Sequence, residues 1–246
     1  SYVSYSPSVI FAGGTPVGVE TTADTEFRLT PEALRAAITP RTKAIIFNNP
    51  TNPTGMGYDL STMEMLARVA KEYDLLIAAD EIYTTYIYEG DFRPIRTLPG
   101  MAERTITLNS FSKNFLMTGW RVGFLAAHPD LIKKISSMQG HSTSSICSVS
   151  QKAALAALEG PMDCVAEMRA AFMRRRDLAL KIIGSWPWAI CPKPDGAFYL
   201  FVDVHQCYGD RVHNSTELCT YLLDKAHVAL VPGVAFGDDN CIRFSY

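Results

Sequence analysis

The stretch Leu75-Leu76-Ile77-Ala78-Ala79-Asp80-Glu81-Ile82-Tyr83 decides the reading of the fold. An unbroken apolar run ends abruptly in two carboxylates and a phenol. A run of that length fits a strand covered on both faces, the pattern of a parallel sheet. Two further runs repeat the arrangement. Ala44-Ile45-Ile46-Phe47 passes into Asn48-Asn49-Pro50-Thr51-Asn52-Pro53-Thr54-Gly55, and Thr105-Ile106-Thr107-Leu108 passes into Asn109-Ser110-Phe111-Ser112-Lys113. Val17-Gly18-Val19-Glu20 and Val122-Gly123-Phe124-Leu125 also read as strands. Helical patterns lie between them, over Pro31 to Ile38 and Leu60 to Tyr73, the second with Asp59 or Ser61 as its cap. This alternation predicts an α/β fold: three layers, a mostly parallel sheet flanked by helices.

A long helix is expected from about Pro161, a good first-turn residue, to about Gly184, a good stop. Pro187, Pro192, Pro194 and Gly196 then break the chain, and shorter strands and a helix near Thr216 to Ala226 follow. The boundary is therefore set in the long helix, with residues 1–170 as a large domain. Residues 171–246 form the linking helix and part of a smaller α+β domain.

Composition narrows the class. The chain has 246 residues, 48% hydrophobic and 20% charged, which suits a packed globular protein and excludes wholesale disorder. The net charge of −2 argues against a nucleic-acid binder that works by phosphate neutralisation, and no apolar run is long enough for a membrane span. The six cysteines show neither C-x-x-C pairs nor zinc-ligand spacing, so they read as reduced thiols of a cytoplasmic protein without a metal site. Arg174-Arg175-Arg176 reads as a solvated helix face, and the Asn214-Ser215-Thr216 sequon carries no weight without secretion.

The chemistry sits where the strands end. Ligands of open α/β sheets bind outside the carboxyl ends of the strands. Here three such ends present an amide (Asn52), a carboxylate with a phenol (Asp80, Tyr83), and two hydroxyls with an amine (Ser110, Ser112, Lys113). Singly, each has an ordinary reading: Asp80 as a helix cap, Asn52 as a turn residue, Lys113 as a surface lysine. Together they match pyridoxal phosphate catalysis. That chemistry needs a lysine amine for the cofactor aldehyde and an anion at the pyridine nitrogen. It also needs hydroxyls and an arginine for the phosphate, and a second arginine for a substrate carboxylate.

Asn49-Pro50-Thr51-Asn52-Pro53-Thr54-Gly55, Asp80-Glu81-Ile82-Tyr83, Ser110-Phe111-Ser112-Lys113 and Met117-Thr118-Gly119-Trp120-Arg121-Val122-Gly123 resemble signature segments of class I/II aminotransferases of fold type I. So do Pro194-Asp195-Gly196-Ala197-Phe198-Tyr199, Val231-Pro232-Gly233-Val234-Ala235-Phe236-Gly237 and Ile242-Arg243-Phe244-Ser245-Tyr246. The similarity runs along essentially the whole chain and is closest to the bacterial aspartate aminotransferase-like branch. It implies pyridoxal 5′-phosphate bound as a Schiff base on Lys113, which also moves the substrate proton. Asp80 pairs with the pyridinium nitrogen, and Tyr83 and Asn52 bond the 3′ oxygen. Ser110, Ser112 and Arg121 hold the phosphate, Ile82 and Tyr2 flank the ring, and Arg243, with Asn52 beside it, takes the substrate α-carboxylate.

The resemblance also implies amino acid and 2-oxo acid substrates, with aspartate, glutamate or an aromatic amino acid as donor, and a homodimer. Family members are longer at both ends, so the chain reads as truncated, and an inactive fragment or binding domain stays open for it. Two other readings stay open at this stage. The same lysine and aspartate serve β-elimination in C–S lyase-like enzymes. Ser110-Phe111-Ser112-Lys113 also fits S-x-x-K, a serine nucleophile motif, although no S-D-N or K-T-G accompanies it. His141 is a candidate pocket residue or an ordinary loop residue.

Overall fold

In a computed structural model of the chain, residues 2–246 are described. In chain order they form α1 (Tyr5–Phe11), α2 (Pro31–Ala36), β1 (Ala44–Asn48), α3 (Leu60–Glu72), β2 (Leu76–Asp80), β3 (Thr105–Ser110), α4 (Phe111–Asn114) and β4 (Gly123–Ala126). There follow α5 (Pro129–Ser142), α6 (Ser148–Glu159), α7 (Asp163–Ile183), β5 (Tyr199–Asp203), α8 (Ser215–Ala226), β6 (Val231–Pro232) and β7 (Cys241–Ser245). The contacts divide the chain into two compact units. One comprises residues 38–49 and 58–169, the other residues 1–37, 50–57 and 170–246.

The first unit is built on a four-stranded sheet in the order β1-β2-β3-β4. β1, β2 and β3 are parallel, with Ile46 opposite Ala78 and Ala78 opposite Ile106. This is the α/β architecture expected. β4 is the strand that makes the sheet mostly rather than wholly parallel: it pairs antiparallel with β3, Leu108 facing Leu125. A parallel return is usually made through a full crossover helix, and residues 111–122 contain only the single turn α4 and a 3-10 turn. Val17–Glu20 is not a strand either; it has no pairing partner among the described residues, and Val17 is 63% exposed. Asp59 rather than Ser61 caps α3. Its carboxylate accepts the Thr62 N–H at 2.8 Å and the Ser61 hydroxyl at 3.0 Å. α3 then buries Met63, Leu66, Val69 and Ala70 along one stripe.

Cover on both faces of this sheet, expected from the apolar runs, is complete on one face and partial on the other. Successive strand side chains alternate between faces. Ile77 and Ala79 are fully buried, whereas Ile46 is 38% exposed and Ala78, Ile106 and Leu108 are half-buried. Asp80 shares the half-covered face, and Glu81 continues onto the buried one, its N–H donating to the Leu108 carbonyl at 2.9 Å. Among the described residues, Glu81 Oε1 and the hydroxyls of Thr105 and Thr107, all on that buried face, have no hydrogen-bond partner.

The second unit holds a three-stranded antiparallel sheet, β5-β7-β6, beside α8. Leu200, Val202 and Ile242 join Ile183 and Leu218 in its core, with Trp186 stacked on Trp188 at 5.1 Å. On the other sheet face Phe201 and Cys241 meet Phe27 and Met56. Asn214, the sequon residue, caps α8 by accepting the Glu217 N–H at 2.9 Å. Arg176 departs from the solvated face expected of the arginine run. Arg174 and Arg175 are exposed, but Arg176 is 2% exposed, donating to the Pro194 carbonyl at 3.1 Å and paired with Asp177 at 2.8 Å.

Two expectations follow. Gly55 has φ +71°, and a Cβ there would lie 2.5 Å from Pro194 Cβ and 2.9 Å from the Tyr199 carbonyl oxygen. Gly55→Ala should therefore cost about 2–4 kcal/mol in denaturant unfolding, from left-handed backbone strain and overpacking together; an unchanged midpoint would contradict this packing. Burial raises the Glu81 carboxyl from 4.5 to about 7, against a smaller opposing pull from the Ile95 N–H. A raised carboxyl stabilises fully below its unfolded value, and that contribution is lost as pH climbs through about 7. Glu81→Gln should accordingly gain on the parent by up to about 3 kcal/mol between pH 5 and pH 8 in urea titrations. A difference that does not change with pH would refute the assignment.

Candidate active site

The first unit gathers most of the residues singled out from the sequence at the carboxyl ends of β2 and β3. Asp80 ends β2, and its Oδ1 accepts the Ile82 N–H at 3.3 Å. Ile82 is half-buried, and Tyr83 is buried at 4% exposure. Ser110 ends β3 on the same face as Asp80, because Leu108 is the register partner of Asp80 and Ser110 lies two residues further on.

α4 starts at this point, and its local chemistry explains why. The Ser110 hydroxyl accepts the Ser112 N–H at 3.0 Å and donates to the Val122 carbonyl at 3.1 Å. Phe111 turns into a small core with Val122 and Ala154 and stacks on Phe115 at 5.6 Å. Ser112 and Lys113 are thereby left on the half-buried side of this single turn. Arg121 follows in the left-handed conformation, φ +55°, with Nη1 donating to the Thr118 carbonyl at 3.0 Å. The Ser110 hydroxyl proton thus serves the turn itself.

Sequence reasoning missed the residues that pin the Lys113 turn. Tyr86 is fully buried, and its hydroxyl donates to the Lys113 carbonyl at 2.8 Å. Burial pushes its phenol up to about 12, so it stays a neutral donor. Thr85 donates to Asn114 Oδ1 at 2.8 Å, and Asn114 Nδ2 donates to Asn109 Oδ1 at 3.0 Å. The available signal was a second cluster of hydroxyls, Thr84-Thr85-Tyr86, directly after Tyr83.

The second unit brings Asn52 and Arg243 together. The turn carrying Asn52 is closed by Thr51 N–H to the Met56 carbonyl at 3.0 Å and Gly55 N–H to the Thr51 carbonyl at 2.7 Å. Asn52 is 4% exposed, and its Oδ1 accepts Arg243 Nη1 at 2.9 Å. Arg243 lies on β7 opposite Phe201, on the face that also carries Tyr199. Its guanidinium carbon sits 4.6 Å from the Tyr199 ring centre and 5.1 Å from that of Phe236. Its Nε is buried and has no partner among the described residues. Tyr2, also in this unit, is 41% exposed and meets the Tyr5 ring edge-on at 5.6 Å. His141 is exposed in the last turn of α5.

This donor set suits the cofactor named above. It offers an amine, a carboxyl group at a strand end, a buried phenol, hydroxyls and a guanidinium beside a helical turn. The buried Nε of Arg243 is a polar atom that a carboxylate ligand completes. No group of metal-ligating side chains occurs among the described residues, and no helix among them is long and apolar enough to cross a membrane.

Comparison with known proteins agrees over the full length. The family model for aminotransferase class I and II matches residues 1–246. The chain is 41% identical to an aspartate/prephenate aminotransferase of Cereibacter sphaeroides, an alignment covering all of this chain and 64% of the relative. It is 41% identical to an aspartate aminotransferase of Geobacillus stearothermophilus, covering 63% of that protein. Among solved structures, an aromatic aminotransferase from Pyrococcus horikoshii OT3 superposes with a TM-score of 0.95 at 39% identity, over all of this chain and 66% of that one. The Thermus thermophilus aspartate aminotransferase with maleate gives a TM-score of 0.91 at 39% identity, over 63% of its length. The chain thus spans less than two thirds of the relatives it resembles. The S-x-x-K reading falls away, since the Ser110 hydroxyl is engaged in the turn and the whole chain matches a different family. On motif, fold and full-length similarity together, this chain belongs to the class I and II aminotransferases.

Proposed function

We propose that the protein is a pyridoxal phosphate-dependent transaminase, moving an amino group between an amino acid and a 2-oxo acid. The observation that carries this reading is the Arg243–Asn52 pair. A guanidinium held by one amide, flanked by two rings and with a buried Nε lacking a partner among the described residues, suits bidentate recognition of a carboxylate. Pyridoxal phosphate supplies, when bound, an aldehyde that takes up the amino group and a ring that draws electrons from the α-carbon.

The chain's own residues do the rest. Lys113 Nζ binds the aldehyde and, once released, moves the proton from the substrate α-carbon. The Asp80 carboxylate keeps the ring nitrogen protonated, while Tyr83 and Asn52 bond the 3′ oxygen. Ser112, Arg121 and a rotated Ser110 hydroxyl bind phosphate, and Ile82 and Tyr2 flank the ring. Arg243 orients the substrate by its α-carboxylate.

Aspartate, glutamate or an aromatic amino acid is the proposed donor, and the names of the relatives support aspartate and aromatic amino acids. The reading extends to a homodimer, by the family resemblance, and to the cytoplasm, where six free thiols are at home. It takes residues 1–170 as the cofactor-binding large domain and 171–246 as the linking helix and part of the small domain.

Lys113→Ala should abolish turnover in a coupled assay with aspartate and a 2-oxo acid, and a variant transaminating at the parent rate would refute the reading. Arg243→Leu should raise KM for the amino acid by about 100-fold, the loss expected of a charged bidentate contact. An unchanged KM would remove Arg243 from substrate binding.

A further inference from the structure

The turn that carries Asn52 is clasped to the segment Pro194–Gly196 by bonds that no role described so far uses. Gly196 N–H donates to the Gly55 carbonyl at 2.9 Å. Gly57 N–H donates to Asp195 Oδ2 at 3.0 Å, and the Gly57 carbonyl accepts Arg28 Nη1 at 3.1 Å. Arg28 Nη2 also reaches Asp195 Oδ2 at 3.5 Å. The clasp is tight: a Cβ at Gly57 would lie 3.1 Å from Asp195 Cβ. Behind it, the buried Arg176 holds the Pro194 carbonyl at 3.1 Å.

Both arms that aim the Arg243 guanidinium leave from this clasp. Asn52 lies on the turn that ends at Gly57. Tyr199, the nearer ring platform, lies four residues after Asp195 along the chain. We propose that Asp195 is a positioning residue for carboxylate recognition, fixing through the Gly57 N–H bond the turn whose Asn52 orients Arg243. This rests on the reading that Arg243 takes the substrate α-carboxylate.

The working element is the single hydrogen bond to Gly57 rather than the charge. Arg28 is 42% exposed at its side chain and stands 3.5 Å away, so the ion pair contributes little. An asparagine keeps the acceptor oxygen, whereas an alanine removes it.

The test uses the full-length enzyme loaded with pyridoxal phosphate, with KM and kcat measured for the amino acid donor and Tm recorded for each variant. Asp195→Ala should raise KM about tenfold, the effect of one lost hydrogen bond, with kcat within about threefold of the parent. Asp195→Asn should restore KM to within about twofold, and Arg28→Ala should change it no more than that. A lowered Tm with unchanged KM in Asp195→Ala, beside a raised KM in Arg243→Leu, overturns the inference and leaves the reading of Arg243 intact. An unchanged KM in Arg243→Leu overturns that reading instead. Asp195→Asn as impaired as Asp195→Ala also overturns the inference. If Asp195→Ala does not fold, Gly57→Ala decides: its Cβ, 3.1 Å from Asp195 Cβ, presses the carboxylate back by a few tenths of an ångström, so KM should rise, and an unchanged KM overturns the proposal.

Discussion

The candidate site depends on the alternation of side chains along β2 and β3. Asp80 and Glu81 are neighbours in sequence and opposites in environment. Asp80 shares its face with Leu108 and Ser110, which is half-covered, and Glu81 shares its face with Ile77 and Ala79, which is sealed. Burial on the sealed face pushes the Glu81 carboxyl up to about 7. A one-residue slip in register would exchange the two carboxylates, putting Asp80 into the core. The parallel ladder from Ala44–Leu76 to Asp80–Leu108 fixes which carboxylate lies on which face.

The same alternation organises the second unit. On β7, Ile242 and Phe244 face the apolar core, so Arg243 faces Tyr199 and Phe201. A cation there needs partners, and it has them in the Asn52 amide and the faces of Tyr199 and Phe236. In the first unit the backbone of the lysine-bearing turn is held by Tyr86 and the Ser110 cap. In both places a rigid, hydrogen-bonded backbone presents one functional group, the arrangement that precise chemistry requires.

Much of this was legible in the sequence, because the signals were local. Apolar runs that end in polar residues located β1, β2 and β3, and the residues after them located Asp80, Ser110 and Lys113. What escaped depended on distant partners. Val17–Glu20 has the composition of a strand, yet a strand exists only if another pairs with it, and none among the described residues does. The direction of β4 is set by the short passage through α4, not by its own residues. Arg176 is buried because the Pro194 carbonyl, far along the chain, accepts from it, a fact invisible within an arginine run. Tyr86 and Asn109 escaped because their role is to hold the backbone and amide groups of α4.

The central claim is that Lys113 is the residue that binds the cofactor, and it can be tested without measuring any reaction. The purified protein would be mixed with pyridoxal phosphate, reduced with borohydride, digested, and searched by mass spectrometry for lysine carrying a pyridoxyl group. The account expects one stoichiometric adduct, on the peptide containing Ser110-Phe111-Ser112-Lys113. No adduct there, or label spread over exposed lysines such as Lys133 and Lys134, would contradict it.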